Sequence, residues 1–503
     1  MTDLPKKIPT KTLTLRRKVA DASTPSPAHG SAQKTGANHS KSSRSSVKTG
    51  ARAHAVARLK VERTKGQLAN KPDEDNVIYE TSQHEKPIRP QHSRDQTDER
   101  PEHTRSARHS PKLNQAIQTF AVFAPCPSGL EGILEQELIT LGFDEVKRGR
   151  AGCHFVADWR AVQRANLMSR IATRILARVG HGPIRTEDDL YELTRSIEWE
   201  RWFGAERTLR VDTSAIRSPM KSLQFCNLVA KDGICDRLLD LEGERPSIDT
   251  VRPDARVHVF LDETTATIYL DTSGESLFKR GWRFDKGEAP LRENLAAGLL
   301  ALAGWQPTIP LFDPFCGSGT ILIEAAWISL NIPPGINRPF AFERLRNHDS
   351  RRWQEMLDQA NQHIKPALQA PICGIDIDPQ AIDSARRNAE RAGLDPSCID
   401  FAVGDAVNEL PPTTPGMIVT NPPYGERLDT YEMSLWQEWA QQLKHHFAGW
   451  QLHVISSDRD LPKYLRLKPR LKTPVYNGAL DCRLFAIDLV AASYRNPNSD
   501  RTN

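Results

Sequence analysis

Residues 308–320, Thr-Ile-Pro-Leu-Phe-Asp-Pro-Phe-Cys-Gly-Ser-Gly-Thr, decide the fold class of this 503-residue chain. The apolar stretch 308–313 predicts a buried strand, and the glycines after it let the backbone turn tightly and approach a ligand closely. The turn is neither the dinucleotide pattern G-x-G-x-x-G nor a P-loop, because no Lys-Ser/Thr pair follows its glycines. Since a helix is predicted over 321–330, the turn lies at the carboxyl edge of a sheet, where such folds bind cofactors.

Alternating strands and helices are predicted around this turn, from residue 290 onward. Such alternation is typical of a parallel sheet covered on both faces. Asn477-Gly478 lies between two strand-like stretches and is a strong hairpin signal, so the final strand should be antiparallel. An antiparallel final strand distinguishes methyltransferase-type sheets from those of dinucleotide dehydrogenases. The further strands are predicted at 371–376, 400–403, 417–420, 451–456, 474–475 and 483–490.

Carboxylates follow the second and third of these strands. Asp376 can accept both hydroxyls of a ribose from the end of its strand, whereas Asp378 suits the N-cap of the next helix. Asp405 could hydrogen-bond an adenine amino group, although a turn role is equally open to it. Taken in order at strand ends, the motifs predict an adenosine-containing ligand, with contacts from Asp313, Phe315, Gly317, Gly319, Asp376 and Asp405.

The tetrapeptide Asn421-Pro422-Pro423-Tyr424 indicates the chemistry, because it directly follows an apolar strand. Two prolines break the hydrogen-bond ladder and leave the Pro422 carbonyl at the sheet edge. Asn421 places a side-chain carbonyl beside it, so two acceptors can hold both hydrogens of an exocyclic amine. Tyr424 offers an aromatic face on which a base can stack. We therefore predict catalytic roles for Asn421, Pro422 and Tyr424.

These motifs resemble those of class I amino methyltransferases that act on N6 of adenine or N2 of guanine. The resemblance covers about 118–492 and implies S-adenosyl-L-methionine as cofactor, no metal, and RNA as partner. Residues 279–283 (Lys-Arg-Gly-Trp-Arg) and 289–297 resemble the junction in THUMP-domain RNA methyltransferases. The segments that resemble the L-type branch, which makes N2-methylguanine in 23S rRNA, are 334–338, 340–344 and 477–484.

The expected architecture is an α/β, Rossmann-like class I methyltransferase sheet preceded by two α+β modules. A helix is predicted over 161–179 with four arginines, Arg164, Arg170, Arg174 and Arg178, on its polar face. The second methyltransferase domain of some family members does not follow, so a 7-methylguanine activity is expected to be absent. The expected divisions are a disordered basic tail (1–115), a ferredoxin-like module (118–180), a THUMP RNA-binding domain (184–275), a methyltransferase domain (285–492) and a disordered C-terminus (493–503).

Charge is distributed unevenly along the chain. Residues 1–115 carry 23 Lys/Arg and 12 Asp/Glu, a net charge of +11, whereas the remaining 45 basic and 51 acidic residues give −6. A basic tail poor in aromatic residues favours disorder and attraction to RNA, although simple solvation is equally open. The eight cysteines form no CxxC pair, which argues against a disulfide framework or zinc site. Without a secretory signal or membrane-length apolar run, we expect a cytoplasmic protein with no membrane partner.

Four other functions remain open from the sequence. A tRNA guanine-N2 methyltransferase competes with an enzyme for 23S rRNA, and an N6-adenine methyltransferase could use Asn421 equally well. A non-catalytic RNA-binding protein would not need the complete set of acceptors. An NAD oxidoreductase would explain the glycine turn and Asp376 but would leave Asn421-Pro422-Pro423-Tyr424 without a role.

Overall fold

The computed structural model describes residues 118–285, 291–423 and 430–490. The predicted disordered segments 1–115 and 493–503 lie outside these ranges, as does Tyr424. Within the described residues the chain forms two seven-stranded sheets, one on each side of residue 280. The predicted α/β methyltransferase fold with two preceding α+β modules is confirmed.

The first sheet has the order β2-β3-β1-β4-β7-β6-β5, and its neighbours are antiparallel except for the parallel pair β5–β6. Buried residues of its helices share one core with alternate strand residues, so the helices pack on one face. Its elements are β1 (Thr119–Pro125), α1 (Glu131–Thr140), β2 (Lys147–Gly149), β3 (Gly152–Asp158), α2 (Trp159–Met168), β4 (Leu176–Pro183), α3 (Glu187–Ser196), β5 (Leu209–Ala215), α4 (Leu223–Glu242), β6 (Ala255–Leu261) and β7 (Thr265–Asp271).

The helix predicted over 161–179 is wrong in its second half. The helix α2 ends at Met168, and the chain then enters β4, which pairs with both β1 and β7. Strand pairing on both sides outweighs the local helical pattern there. Arg174 is consequently buried, with its Nη1 2.6 Å from Oδ2 of Asp271, and does not lie on a solvent-exposed helix face.

The second sheet has the order β10-β9-β8-β11-β12-β14-β13. Strands β8 to β12 are parallel to one another, and β14 runs antiparallel to β12 and β13, as the hairpin signal predicted. The turn lies one residue later than predicted, at Gly478-Ala479. Its elements are α5 (Glu293–Ala303), β8 (Leu311–Asp313), α6 (Thr320–Ser329), α7 (Ser350–Gln362), β9 (Ile372–Asp376), α8 (Pro379–Arg391), β10 (Asp400–Val403), β11 (Met417–Thr420), α9 (Thr430–His446), β12 (Gln451–Ser456), α10 (Leu461–Tyr464), β13 (Leu471–Asn477) and β14 (Leu480–Asp488).

Both faces of this sheet are buried, as the alternating pattern predicted. Alternate residues of β11 separate into two cores: Val419 packs in the core shared with α5, α6 and the first sheet, and Ile418 packs in the core that contains Trp436 and Trp439 of α9. None of the helices in the described ranges combines the length and the apolar character that crossing a membrane requires.

The motif at 279–283 forms a buried junction between the two sheets. Arg280 is 1% exposed and lies 3.1 Å from Oε1 of Glu324 on α6, measured from its Nε. Its two Nη atoms donate to the carbonyls of Leu277 and Arg170, at 2.8 and 2.6 Å. Arg170 in turn donates to the carbonyl of Ile332 at 2.6 Å. One buried arginine thus joins the segment after α2 to α6 of the methyltransferase domain.

Arg338, within the insertion that follows α6, completes this junction. Its guanidinium donates to the carbonyls of Ser276 and Glu275, both at 2.6 Å. Burial lowers its pKa to about 10. The segments quoted at 279–283 and 334–338 therefore have a structural role in holding the two sheets together.

Candidate functional site

The predicted site residues come together because the strands that precede them are parallel neighbours. Strands β10, β9, β8 and β11 lie side by side in that order. Their carboxyl ends therefore meet at one edge of the sheet. The residues at or just after these ends are Asp313 (β8), Asp376 (β9), Asp405 (β10) and Asn421 (β11).

A short hydrogen bond joins the glycine-rich turn to the strand that carries Asn421. Oγ1 of Thr420 donates to Oδ1 of Asp313 at 2.6 Å, and the same oxygen accepts the backbone N–H of Phe315 at 3.1 Å. Asn421, partly buried, is the next residue, and Pro422 and Pro423 are buried after it. The acceptor pair proposed from the sequence is therefore anchored beside the cofactor-type loop.

Asp313 has a perturbed acidity. The carboxyl is only 2% exposed, and burial away from water raises its pKa to about 7. The hydrogen bonds from Thr420 and Phe315 oppose this shift, while the nearby carboxylate of Asp376 adds to it.

Asp313→Asn is expected to gain stability relative to the wild type as pH rises. The pKa of Asp313 is raised in the folded protein, so ionising it costs folding free energy between about pH 4 and pH 7. The variant lacks this cost, so the difference in free energy of unfolding should shift by about 2–3 kcal/mol in its favour between pH 5 and pH 8. Urea unfolding at both pH values measures the shift, and a pH-independent difference would contradict it.

The glycine-rich turn is fixed by Asp376, which is 3% exposed. One carboxylate oxygen accepts the backbone N–H of Gly317 and the other that of Asp378, both at 3.0 Å. Gly317 has φ +55°, and a Cβ built on it would meet nothing within 4 Å. The loop thus leaves open space beside a buried carboxylate, which fits an adenosine-type ligand.

Gly319 has a different role, since a Cβ there would lie 3.0 Å from the ring of Phe401 and 3.1 Å from Cβ of Ala385. It begins α6 in the left-handed region at φ +81°. This glycine permits close packing against β10 and α8.

Asp378 and Asp405 both hold local backbone. Asp378 caps α8 by accepting the N–H of Gln380 at 2.9 Å, which confirms the N-cap prediction. Asp405 accepts the N–H of Val407 at 3.2 Å and the side-chain amide of Asn408 at 3.3 Å. Asp405 therefore has the turn role that the sequence left open, and its adenine contact stays a prediction.

Two tryptophans that the sequence interpretation missed lie beneath the turn. The ring of Phe315, partly buried, packs edge-on against Trp439 with centroids 5.1 Å apart, and 6.2 Å from Trp436. Both tryptophans belong to α9. The spacing of the apolar residues Leu435, Trp436, Trp439, Ala440 and Leu443 is the amphipathic signal that could have revealed this helix.

No group of three or more His, Cys, Asp or Glu side chains within the described residues is arranged to hold a metal ion. The Rossmann-like sheet with one antiparallel strand, the glycine-rich turn after β8 and Asn-Pro-Pro after β11 together place this chain among the class I methyltransferases.

Comparison with known families agrees with this class and also identifies the two modules that precede the methyltransferase domain. Three family models match in order: an RlmL ferredoxin-like domain at 121–176, a THUMP domain at 185–271, and an RMKL-like methyltransferase domain at 280–486. The chain therefore belongs to the THUMP-domain methyltransferases with an RMKL-like methyltransferase domain.

Individual relatives and solved structures are also similar to most of this chain. A Marinomonas sp. protein named ribosomal RNA large subunit methyltransferase K/L is 36% identical over 393 residues, which cover 76% of this chain and 54% of that protein. This chain thus spans about half the length of the curated relatives it matches. The crystal structure of SMU.472, a methyltransferase in complex with SAH, is 28% identical with a TM-score of 0.68, covering 75% of this chain and 99% of the other. A Listeria monocytogenes structure, described as that of an N6-adenine-specific DNA methylase, is 31% identical with a TM-score of 0.67, covering 74% and 96%.

Proposed function

We propose that this protein transfers a methyl group from S-adenosyl-L-methionine to the exocyclic N2 amine of a guanine in 23S rRNA. The observation that carries the proposal is the hydrogen bond between Thr420 and Asp313, which fixes Asn421 and Pro422 beside the glycine-rich turn. The name of the Marinomonas relative supports a large-subunit rRNA substrate, and the THUMP match supports RNA.

The residues at the sheet edge have complementary tasks in this reaction. S-adenosyl-L-methionine supplies an electrophilic methyl group on a sulfonium. The side-chain oxygen of Asn421 and the carbonyl oxygen of Pro422 each accept a hydrogen bond from one N–H group of the amine. These two hydrogen bonds localise the lone pair on the nitrogen. These hydrogen bonds strengthen as positive charge develops on nitrogen, so they favour the transition state. The base must leave its stack to reach this edge, and Tyr424, outside the described residues, is the proposed stacking partner.

Asp376 is the proposed ribose ligand of the cofactor, and Asp313, Phe315, Gly317, Gly319 and Asp405 complete the proposed cofactor site. An ionised carboxylate offers about four lone-pair sites, so Asp376 can hold the turn and also accept ribose hydroxyls. The open space beside Gly317 gives the ligand room there.

Asp376→Ala is expected to weaken binding of S-adenosylhomocysteine about tenfold or more, because hydrogen bonds to a charged acceptor contribute about 1.5–3 kcal/mol. Titration calorimetry measures the affinity. Asp378→Ala is the matched control: it removes a helix cap and costs about 1 kcal/mol of stability, while the affinity should stay near that of the wild type. Equal affinities in the two variants would argue against the ribose role.

The target base is tested by identifying the methylated nucleoside. The purified chain is incubated with S-adenosyl-L-methionine and unmodified 23S rRNA or tRNA, and the digested nucleosides are analysed by mass spectrometry. N2-methylguanosine from 23S rRNA is the expected product. N6-methyladenosine, the product that the description of the Listeria structure would favour, would overturn the choice of base, and methylation of tRNA alone would overturn the choice of substrate.

The basic segment 1–115 is proposed to add RNA affinity through its +11 net charge. An rRNA substrate also favours a cytoplasmic location, which we include in the proposal.

A further inference from the structure

The first sheet has a face that its helices do not cover. Along β1, Phe120, Val122 and Ala124 point into the helical core. Because side chains alternate along a strand, Ala121 and Phe123 lie on the opposite face. Both are partly exposed.

Aromatic rings gather on this open face. Phe123 lies opposite His154 of β3, and their rings stack with centroids 4.7 Å apart at an interplanar angle of 28°. Tyr269 of β7 lies 6.2 Å from Phe123 and is only 9% exposed, so it packs beneath this surface, which Val156, 41% exposed, extends. His154 is itself exposed, so its ring is accessible to a ligand.

Two basic side chains flank these rings. Lys147 lies opposite His154 and Arg178 lies opposite Tyr269 in the strand ladders, and both are exposed. In the part of the chain that the structure describes, neither has an ion-pair partner. The carboxylate of Asp271, in the same sheet, is buried and bound to Arg174. Burial and the charge of Arg178 lower the pKa of His154, which favours the neutral form of its ring.

We propose that this aromatic face, formed by Lys147, His154, Phe123 and Arg178, binds single-stranded RNA. Aromatic rings on an open sheet stack bases without requiring a particular sequence, and unpaired cations beside them contact phosphates. The inference rests on the proposed function for RNA as the substrate and adds where an unpaired segment of it docks.

Charge selects RNA over the other occupants of such a face. The N-terminal segment 1–115 has a net charge of +11, the same sign as Lys147 and Arg178. A second copy would bring two faces of the same sign together. A polyanion with exposed bases matches both the charges and the rings.

The test measures binding of the full chain to a fluorescent oligouridine of about 12 nucleotides, within the site sizes typical of single-strand binding, and to a duplex RNA of equal length, without cofactor. Arg178→Glu is expected to weaken oligouridine binding about tenfold and to reduce the magnitude of the salt slope, since a phosphate contact is lost. His154→Ala is expected to weaken it about fivefold or more with an unchanged salt slope, because stacking is lost. Lys147→Glu provides a second charge variant should Arg178→Glu fold poorly.

Arg351→Glu is the matched control, because Arg351 is 90% exposed on α7 and undergoes the same charge change away from this face. It should bind within about twofold of the wild type. If Arg351→Glu and Arg178→Glu weakened oligouridine binding equally, the effect would come from net charge alone and the proposal would be overturned. The proposal would also be overturned if all face variants bound oligouridine as the wild type does. It would be overturned as well if they lost binding to the duplex RNA alone.

Two further measurements separate this proposal from the methyltransferase assignment. Sedimentation velocity tests for a dimer; a dimer that the face variants dissociate, with RNA binding intact, would assign the face to a second copy and overturn the proposal. Methyl incorporation is measured independently. If the face variants bind oligouridine more weakly but the wild type transfers no methyl group, the RNA-binding face stands and the proposed function is wrong. If the wild type transfers methyl groups but the face variants bind oligouridine normally, the proposed function stands and the RNA-binding face is wrong.

Discussion

Asn421→Ala should lower methyl transfer about 10²–10³-fold, the usual effect of removing one acceptor or donor that acts mainly in the transition state. The variant retains the Pro422 carbonyl but loses the oxygen that would hold the second N–H of the amine. Asp313, Asp376 and the glycine-rich turn are untouched, so affinity for S-adenosylhomocysteine should stay within about twofold. Single-turnover methyl incorporation into rRNA, with calorimetry alongside, measures both quantities.

Asn361→Ala supplies the control, because Asn361 is exposed on α7 and its loss should alter neither turnover nor affinity. If Asn421→Ala methylated rRNA at the wild-type rate, the proposed chemistry of the tetrapeptide would be wrong. If it lost cofactor affinity as well, Asn421 would belong to the cofactor site.

Arg280→Ala is expected to lower the free energy of unfolding by about 3–5 kcal/mol, because removing one partner leaves an uncompensated buried charge. Glu324, fully buried, would then have Arg170 as its one remaining ion-pair partner among the described residues, with Nη1 of Arg170 3.9 Å from its Oε2. Two backbone carbonyls would also lose their donor. Urea unfolding measures the effect.

The exposed pair Arg201–Glu198 provides the comparison, since its side chains are 52% and 60% exposed. Arg201→Ala should cost less than about 1 kcal/mol. The double change Arg280→Leu with Glu324→Leu should recover part of the loss, because it removes the unpaired carboxylate too. A double variant less stable than Arg280→Ala would show that the carboxylate is not the source of the cost.

The sequence predicted the edge on which the site residues meet, because parallel strands place their carboxyl ends together. It could not predict the hydrogen bond between Thr420 and Asp313, which depends on the register of β8 against β11. The sequence also predicted an adenine contact for Asp405 and left a turn role open. The structure shows the turn role, because Asp405 accepts hydrogen bonds from Val407 and Asn408.

The sequence did not predict these other features because they depend on contacts between residues that are far apart in the chain. The last four residues of the helix predicted over 161–179 belong to a strand because β1 and β7 pair with it, and neither neighbour is local in sequence. The motif at 279–283 was visible, but its role was not, because Arg280 contacts Glu324 and Arg170, which lie 44 and 110 positions away.

Strand β4 also bears on how the two N-terminal modules unfold. The ferredoxin-like match ends at 176 and the THUMP match begins at 185, so Leu176–Pro183 falls almost wholly between the two matched modules. Yet this strand supplies backbone partners to β1 on one side and β7 on the other. Separating the two modules at β4 would leave a strand of each without its pairing partner and expose unpaired backbone amides. We therefore expect the two modules to unfold as a single cooperative unit.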